Sequence, residues 1–470
     1  MRDEDLCYLS IAEASALIAA RRLSPVELTR AVLARILALN SRVNAYITVM
    51  AEAATLQASQ AEAAVMAGGY LGPLHGIPMG LKDLFDTGGV RTTAGSKLLA
   101  QRVPEEDATV VARLKAAGAI IVGKLNMHEF AYGITNENPH YGAARNPWDL
   151  DRITGGSSGG SGAATAAGMC AASLGTDTGG SIRIPACFCG IVGLKPTYGR
   201  VSRRGVVPLS PTLDHVGPMT RTVEDAAIVL QAIAGHDPND PGSLDAPVPD
   251  LRADIRGGLR GTRVGVMGGF ITEPMGPGVK QAVTAAFEKL EGLGASVEPV
   301  DLPFQPQARM VNGSIISAEA ASYHQTTMES NPGDYDPATL ERLAGGRRLL
   351  ATSYVQALES RRRIRDQLLT VMDGLDLLAL PIEPLVAPPI GGGEVTLGRR
   401  TTDVRGAVTK YTGLFNLTGF PAISLPCGFT PEGLPVGFQL VAKPLEEAAL
   451  LRAAYAYEEA SGWGQRRPPL

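Results

Sequence analysis

Two short segments concentrate the reactive residue types of this chain. The first is Thr154-Gly155-Gly156-Ser157-Ser158-Gly159-Gly160-Ser161-Gly162, and the second is Gly175-Thr176-Asp177-Thr178-Gly179-Gly180-Ser181-Ile182-Arg183-Ile184-Pro185. A Gly-rich turn ahead of a helix presents several backbone N–H groups in a row, which suits a bound anion or the oxyanion of acyl transfer. A phosphate cradle needs G-x-x-x-x-G-K-[ST] or G-x-G-x-x-G, and neither segment carries either pattern. Serines stand there instead. Gly156–Gly160 also satisfies G-x-S-x-G, the nucleophile elbow of α/β-hydrolases, which demands a later Asp or Glu and then a His. The downstream histidines are His215, His236 and His324, none at the late chain position that fold uses. Flexible linkers fit poorly too, because apolar segments bound both clusters.

A serine hydroxyl needs a base, and without histidine the alternative is a lysine that burial has deprotonated. Only nine of the 43 basic residues are lysine, so each can be inspected. Lys82, in Gly80-Leu81-Lys82-Asp83-Leu84-Phe85, stands at the end of an apolar segment. A lysine so placed usually snorkels to water, but the serine clusters turn this one into a candidate general base.

The elements that must position these groups are those of a large α/β chain. At 470 residues the sequence has room for one large or two ordinary domains. Hydrophobic residues make up 45% but aromatics only 5%, so the core must be aliphatic and Ala-rich, and 55 Gly and 33 Pro demand a local explanation. A net charge of −4 with no long basic block argues against nucleic-acid binding by bulk electrostatics. No run of about 18 apolar residues and no signal-peptide stretch occurs, which reads as a soluble, cytoplasmic protein without a membrane partner. The five cysteines are scattered, and Cys187-Phe188-Cys189 lacks a second pair at zinc spacing, so neither a disulfide framework nor a metal site is expected.

Residues 1–66 read as a helical scaffold, with a capping box and first-turn Pro at Ser24-Pro25-Val26-Glu27. Over 70–235 short apolar runs alternate with helical periodicity, including a helix at 108–117, a strand at 119–122 and an Ala-rich helix running from the first Gly/Ser cluster to about Ala172. Further strands are expected near 263–267, 295–300, 377–380, 422–426 and 436–441, with helices at 278–293, 335–375 and 445–460. Such alternation predicts a single large α/β/α sandwich, a mixed central sheet covered by helices on both faces. The Pro/Gly-rich stretch 236–262 is a candidate boundary or an insertion loop, and 305–405 a candidate pocket wall or lid within one domain spanning 1–470.

The chain resembles the amidase signature family of serine hydrolases, from Leu23-Ser24-Pro25-Val26-Glu27-Leu28 to Pro421-Ala422-Ile423-Ser424-Leu425-Pro426. The match is densest over Gly155–Ser161, Gly175–Ala186 and Cys189-Gly190-Ile191-Val192-Gly193-Leu194-Lys195-Pro196-Thr197. The resemblance implies a Ser-Ser-Lys triad: Lys82 as general base, Ser157 as bridging shuttle, usually after a cis peptide bond, and Ser181 as nucleophile. It also implies an oxyanion hole from the N–H groups of Thr178, Gly179, Gly180 and Ser181. Asp177 and Arg183 are expected to act as supports, pairing with each other or with nearby backbone, with Ser158 and Thr154 as neighbouring hydrogen-bond partners.

Members cleave amides, ureas and carbamates without cofactor or metal. The chemistry implied here is cleavage of a small aliphatic or aryl amide, or a carbamate, by a chain that acts alone or as a homodimer. The alternative is the ammonia-supplying A chain of a glutamyl-tRNA(Gln) amidotransferase, whose motifs extend to Tyr198-Gly199-Arg200-Val201-Ser202. That branch holds glutamine partly through an acidic residue ahead of Asn416–Pro421, and Val408-Thr409-Lys410-Tyr411-Thr412 has none. Phe130, Tyr132, Phe188 and Phe415 are candidate acyl-pocket walls.

Overall fold

The structure, a computed structural model, describes residues 2–269 and 273–470, residue 465 in its backbone only. In chain order its strands are β1 (Tyr46–Val49), β2 (Pro78–Lys82), β3 (Ile120–Leu125), β4 (Arg145–Asn146), β5 (Asp149–Ile153), β6 (Ala172–Asp177), β7 (Val192–Lys195) and β8 (His215–Thr220). They continue as β9 (Arg263–Met267), β10 (Ser296–Val300), β11 (Leu377–Pro381), β12 (Glu394–Leu397), β13 (Arg400–Asp403), β14 (Ala422–Phe429) and β15 (Pro435–Ala442). β4–β5 and β12–β13 form small separate pairs, and the other strands form one 11-stranded sheet in the order β1-β3-β2-β6-β8-β7-β14-β15-β11-β9-β10.

The sheet is mixed. β3-β2-β6 run parallel at one end and β11-β9-β10 at the other. The strands between pair antiparallel. Sixteen α-helices lie among the described residues and cover both faces. β2, β3, β6, β7 and β8 are buried along their whole length, as strands covered on both faces must be, and so lack the in–out alternation of a half-exposed strand. Strands from before and after 236–262 share the sheet, and Leu251, Ile255 and Leu259 of that stretch are buried in its core.

Local chemistry explains the ends of several elements. The helix Pro25–Val43 starts with Pro at its first position and Ser24 Oγ accepting from the N–H groups of Val26 and Glu27. It buries Leu28, Val32, Ile36, Leu39 and Val43 at helical spacing and ends on left-handed Asn44. The reciprocal capping box is not there but at Ser10/Glu13; Ser24 Oγ instead donates to Glu62 Oε1 at 2.5 Å. The 1–66 segment is therefore not helical throughout, since β1 interrupts it and forms one edge of the sheet.

The Ala-rich helix also departs from expectation. It spans Gly159–Ala166, Gly168 takes a positive φ of 68°, and Ala172 opens β6. Small residues continue across the break, so composition alone gives no boundary. The shortening matters because it makes the second Gly-rich motif the exit of a strand rather than a loop after a long helix.

Candidate active site

Lys82 is the last residue of β2, and β6 lies beside it in parallel register, Leu81 opposite Leu174. This pairing brings Lys82 beside Thr176 at the carboxyl ends of the strands, where open α/β sheets place their ligands. The Nζ of Lys82 donates to Thr176 Oγ1 and to Ser157 Oγ, both at 2.8 Å. The side chain is wholly buried. Burial pushes its pKa down from 10.5 to about 7, against the opposing pull of Asp214 and Asp177. A lysine lowered this far loses its proton within reach of neutral pH, and the neutral form is the state a proton acceptor needs.

Ser157 stands just before the helix Gly159–Ala166, after a cis peptide bond from Gly156. The helix start is pressed against the chain end of β3: a Cβ on Gly160 would lie 2.6 Å from Ala45 O and 2.6 Å from Asn126 N. Only glycine permits that approach. Ser181 occupies the turn between β6 and the helix Arg183–Cys189, its carbonyl accepting from Ser158 N at 3.3 Å. Its Oγ makes no hydrogen bond to Ser157 Oγ in this structure; the side chain lines a cavity instead.

Asp177 builds that turn. Its carboxylate accepts from the backbone N–H of Gly180 (2.7 Å), Ile182 (3.1 Å) and Arg183 (3.4 Å), from Arg183 Nε (3.0 Å) and from Asn416 Nδ2 (2.8 Å). Asp177 and Arg183 are both wholly buried. Burial by itself would raise the Asp177 pKa, but the Arg183 charge and these hydrogen bonds hold the carboxyl well below the usual range. The expected Asp177–Arg183 pair is thus present in the structure. Arg183 extends it to Gln439 Oε1 (2.9 Å), Thr412 O (3.1 Å) and Asn416 Oδ1 (2.7 Å), tying the turn to β15 and to the helix Gly413–Thr418.

Of the four amides expected to form an oxyanion hole, that of Gly180 is engaged within the turn. Gly180 N–H is already given to Asp177, leaving Thr178, Gly179 and Ser181 as the N–H groups around the cavity. Gly180 itself has φ 131° and a virtual Cβ 2.5 Å from Thr412 Oγ1, so its glycine is required by both backbone and space. Ser158 does not touch Lys82 or the Ser181 side chain; its Oγ donates to Thr176 O (3.2 Å) and accepts from Thr176 N (3.3 Å), stitching the helix start to β6. Thr154 is likewise local, donating to Gly155 O at 2.9 Å.

The cavity beside Ser181 measures about 180 Å³, below the roughly 300–1,000 Å³ of drug-sized sites. Of the four aromatic candidates only Tyr132 lines it, while Phe130 packs on His324 and Tyr335, and Phe188 and Phe415 are core. The 305–405 segment supplies Arg309, Asn312, Ile316, Asp403 and Arg405. Thr176, Thr412, Asn416, Gln439 and these pocket residues were not singled out by sequence reasoning. The segment-level signals were there for most of them: Thr176 lies in the second Gly-rich motif, Thr412 and Asn416 in or beside the 408–421 stretch, and the pocket residues in the 305–405 wall, whereas Gln439 had none.

Comparison with known proteins agrees with the geometry. The profile of the Amidase family matches residues 27–451, and the chain belongs to that family. It is 44% identical to the A chain of the glutamyl-tRNA(Gln) amidotransferase of Moorella thermoacetica, covering 99% of both chains. A solved structure described as part of a vestigial protein complex revealing the origins of an s-triazine catabolic enzyme superposes with a TM-score of 0.93 at 37% identity, over 98% of this chain and 100% of that one. The corresponding amidotransferase chain of Thermotoga maritima gives a TM-score of 0.83 at 34% identity, over 99% and 98%. Among the described residues no helix is long and apolar enough to cross a membrane.

Proposed function

We propose that this chain cleaves a carboxamide or related C–N bond through an acyl-enzyme on Ser181. The observation that carries the reading is the buried Lys82 Nζ at 2.8 Å from Ser157 Oγ, beside the turn that holds Ser181. Neutral Lys82 accepts the Ser157 proton while Ser157 accepts that of Ser181, whose Oγ forms a bond to the carbonyl carbon. The oxyanion faces the N–H groups of Thr178, Gly179 and Ser181. Collapse breaks the C–N bond, and the proton returns through Ser157 to the leaving nitrogen. Water then attacks the ester by the same route and releases the acid. Apo hydrogen bonds of this kind commonly tighten only when substrate arrives, which accommodates the open Ser157–Ser181 contact.

A second reading is the ammonia-releasing A chain of a glutamyl-tRNA(Gln) amidotransferase. Near-full-length identity of 44% to such a chain favours it over a free-standing amidase. In that reading glutamine is the amide, and partner chains and a tRNA replace the purely small-molecule setting. Against it stands the absence of a carboxylate from Val408–Thr412. Both readings share the hydrolytic half-reaction and the same three residues. Purified chain assayed on glutamine, small amides and p-nitrophenyl carbamates separates them: turnover of amides or carbamates by the chain alone supports the first. Glutamine turnover that needs added partner chains supports the second. Ser181→Ala should abolish acyl-enzyme formation, and a variant retaining it would refute the nucleophile assignment.

A further inference from the structure

The wall of the cavity opposite Ser181 is cationic. Arg309, on the helix Gln305–Tyr323, and Arg405, on the helix Val404–Val408, line the same cavity as Ser181. Neither guanidinium makes an ion pair or a hydrogen bond to another described residue; Arg405 lies only over the Tyr132 ring, 5.4 Å from its centroid. Arg342 sits over the same ring at 5.3 Å, adding a third guanidinium near this wall, with Asp336 3.9 Å away as its counter-charge. The single carboxylate among the described lining residues is Asp403, which spends Oδ1 accepting from Gly406 N at 2.7 Å to cap the helix that carries Arg405.

Three guanidinium groups against Asp336 and one capping carboxylate leave this wall net positive in a partly desolvated place. Burial, and then the mutual repulsion of Arg342 and Arg405, lower the pKa of Arg342. Such an arrangement is costly without an anion and is relieved by one, because a guanidinium binds a carboxylate through charge-assisted, two-pronged hydrogen bonds. Asn312 adds a second polar recognition group. It is 5% exposed, lines the cavity, and its Oδ1 has no partner. An acceptor in that position suits an amide N–H.

Resting on the reading of Ser181 as an amide-cleaving nucleophile, we propose that the substrate is a small amide bearing a carboxylate and no ammonium group, its carboxylate seated on Arg405 and Arg309 and its N–H on Asn312. A zwitterionic amide such as glutamine would bring an ammonium group into the same cationic field, where the lining offers only the capping Asp403.

The test compares succinamate, its uncharged, carboxylate-free analogue butyramide, and glutamine on the purified chain, with Arg405→Gln, Arg309→Gln and Arg405→Lys alongside. Succinamate should be preferred over butyramide in kcat/KM by roughly ten- to a hundredfold, the scale of a charged hydrogen-bonded contact. Arg405→Gln should erase most of that ratio through KM, and Arg405→Lys should restore part of it. Malonate binding to the Ser181→Ala protein, read by calorimetry, should weaken in the same order, and this readout does not depend on turnover. Arg309→Gln serves if Arg405→Gln fails to fold by circular dichroism. Equal rates on succinamate and butyramide, a preference for glutamine, or malonate binding unaffected by either variant would overturn the inference. The hydrolase reading would survive any of these if turnover still needed Ser181. Absence of turnover on every amide would instead count against the hydrolase reading, while the malonate titration would still decide the anion site.

Discussion

If Lys82 is the proton acceptor, the rate of acylation must follow its titration. The folded pKa of about 7 lies roughly three and a half units below the ordinary 10.5. At about 1.36 kcal/mol per unit, burial therefore disfavours the ammonium by about 5 kcal/mol. Acylation should rise with pH through a midpoint near 7 and level off by about pH 9, and at pH 5 should stand roughly a hundredfold below the plateau. No nearby histidine supplies that limb, because burial drives His128 down to about 3 and His215 well below its usual range. The same shift has a signature in stability. Between pH 7 and 10.5 the unfolded lysine holds a proton that the folded one has lost, so stability gains with rising pH, by up to about 5 kcal/mol in total. Below pH 7 both states are protonated and the full penalty of a buried ammonium is present. Urea denaturation of wild type and Lys82→Met across roughly pH 6–10 isolates this contribution, since the other titrating groups are common to both. The wild type should gain on the variant as pH rises. A pH-independent acylation rate over that range, or parallel stability curves for the two proteins, would refute the reasoning.

Asp214 is buried, its own pKa raised to about 6 by that burial, and its charge holds the Lys82 pKa up; Asp214→Asn should move the rising limb of the rate profile to lower pH, measured on the same substrate. Asp177→Asn leaves Arg183 buried without its counter-charge and should cost about 3–5 kcal/mol in chemical denaturation, with near-total loss of rate because the Ser181 turn loses its organiser. Gly180→Ala forces a side chain onto Thr412 Oγ1 and Ile184 Cδ1, at 2.5 and 2.6 Å, in a backbone region L residues rarely adopt. The clash displaces the neighbouring Gly179 and Ser181 N–H groups, and we expect kcat to fall roughly 100-fold or more, the scale of one misplaced oxyanion donor, with the overall fold retained by circular dichroism. Thr176→Val removes a hydroxyl that accepts from Lys82 Nζ at 2.8 Å and so should lower the Lys82 pKa further, read as a second, smaller shift of the same limb.

Much of this was legible in the chain alone: the alternation of strands and helices, the two Gly/Ser motifs and Lys82 as a buried-lysine candidate, whereas Ser157 and Ser181 were joined to it only through the family resemblance. Each depends on a local requirement: glycine where a side chain cannot fit, serine where a hydroxyl is wanted, a lysine closing an apolar strand. The pairing of Asp177 with Arg183, six residues apart across one turn, was legible for the same reason.

Other features exist only in the folded molecule. Which residue completes the environment of Lys82 depended on β2 and β6 lying parallel in a register that presents Thr176, a relation between residues 94 apart in the chain. Whether Gly180 N–H is free depended on where the Asp177 carboxylate turns, and in the fold that N–H is given to the carboxylate. Asn416 and Gln439 enter the site through a helix and a strand near the far end of the chain, and Arg309 and Arg405 converge on one cavity from two separate helices. Spacing along the chain records local conformation, whereas burial, desolvation and the meeting of distant charges arise only once the sheet has brought those elements together.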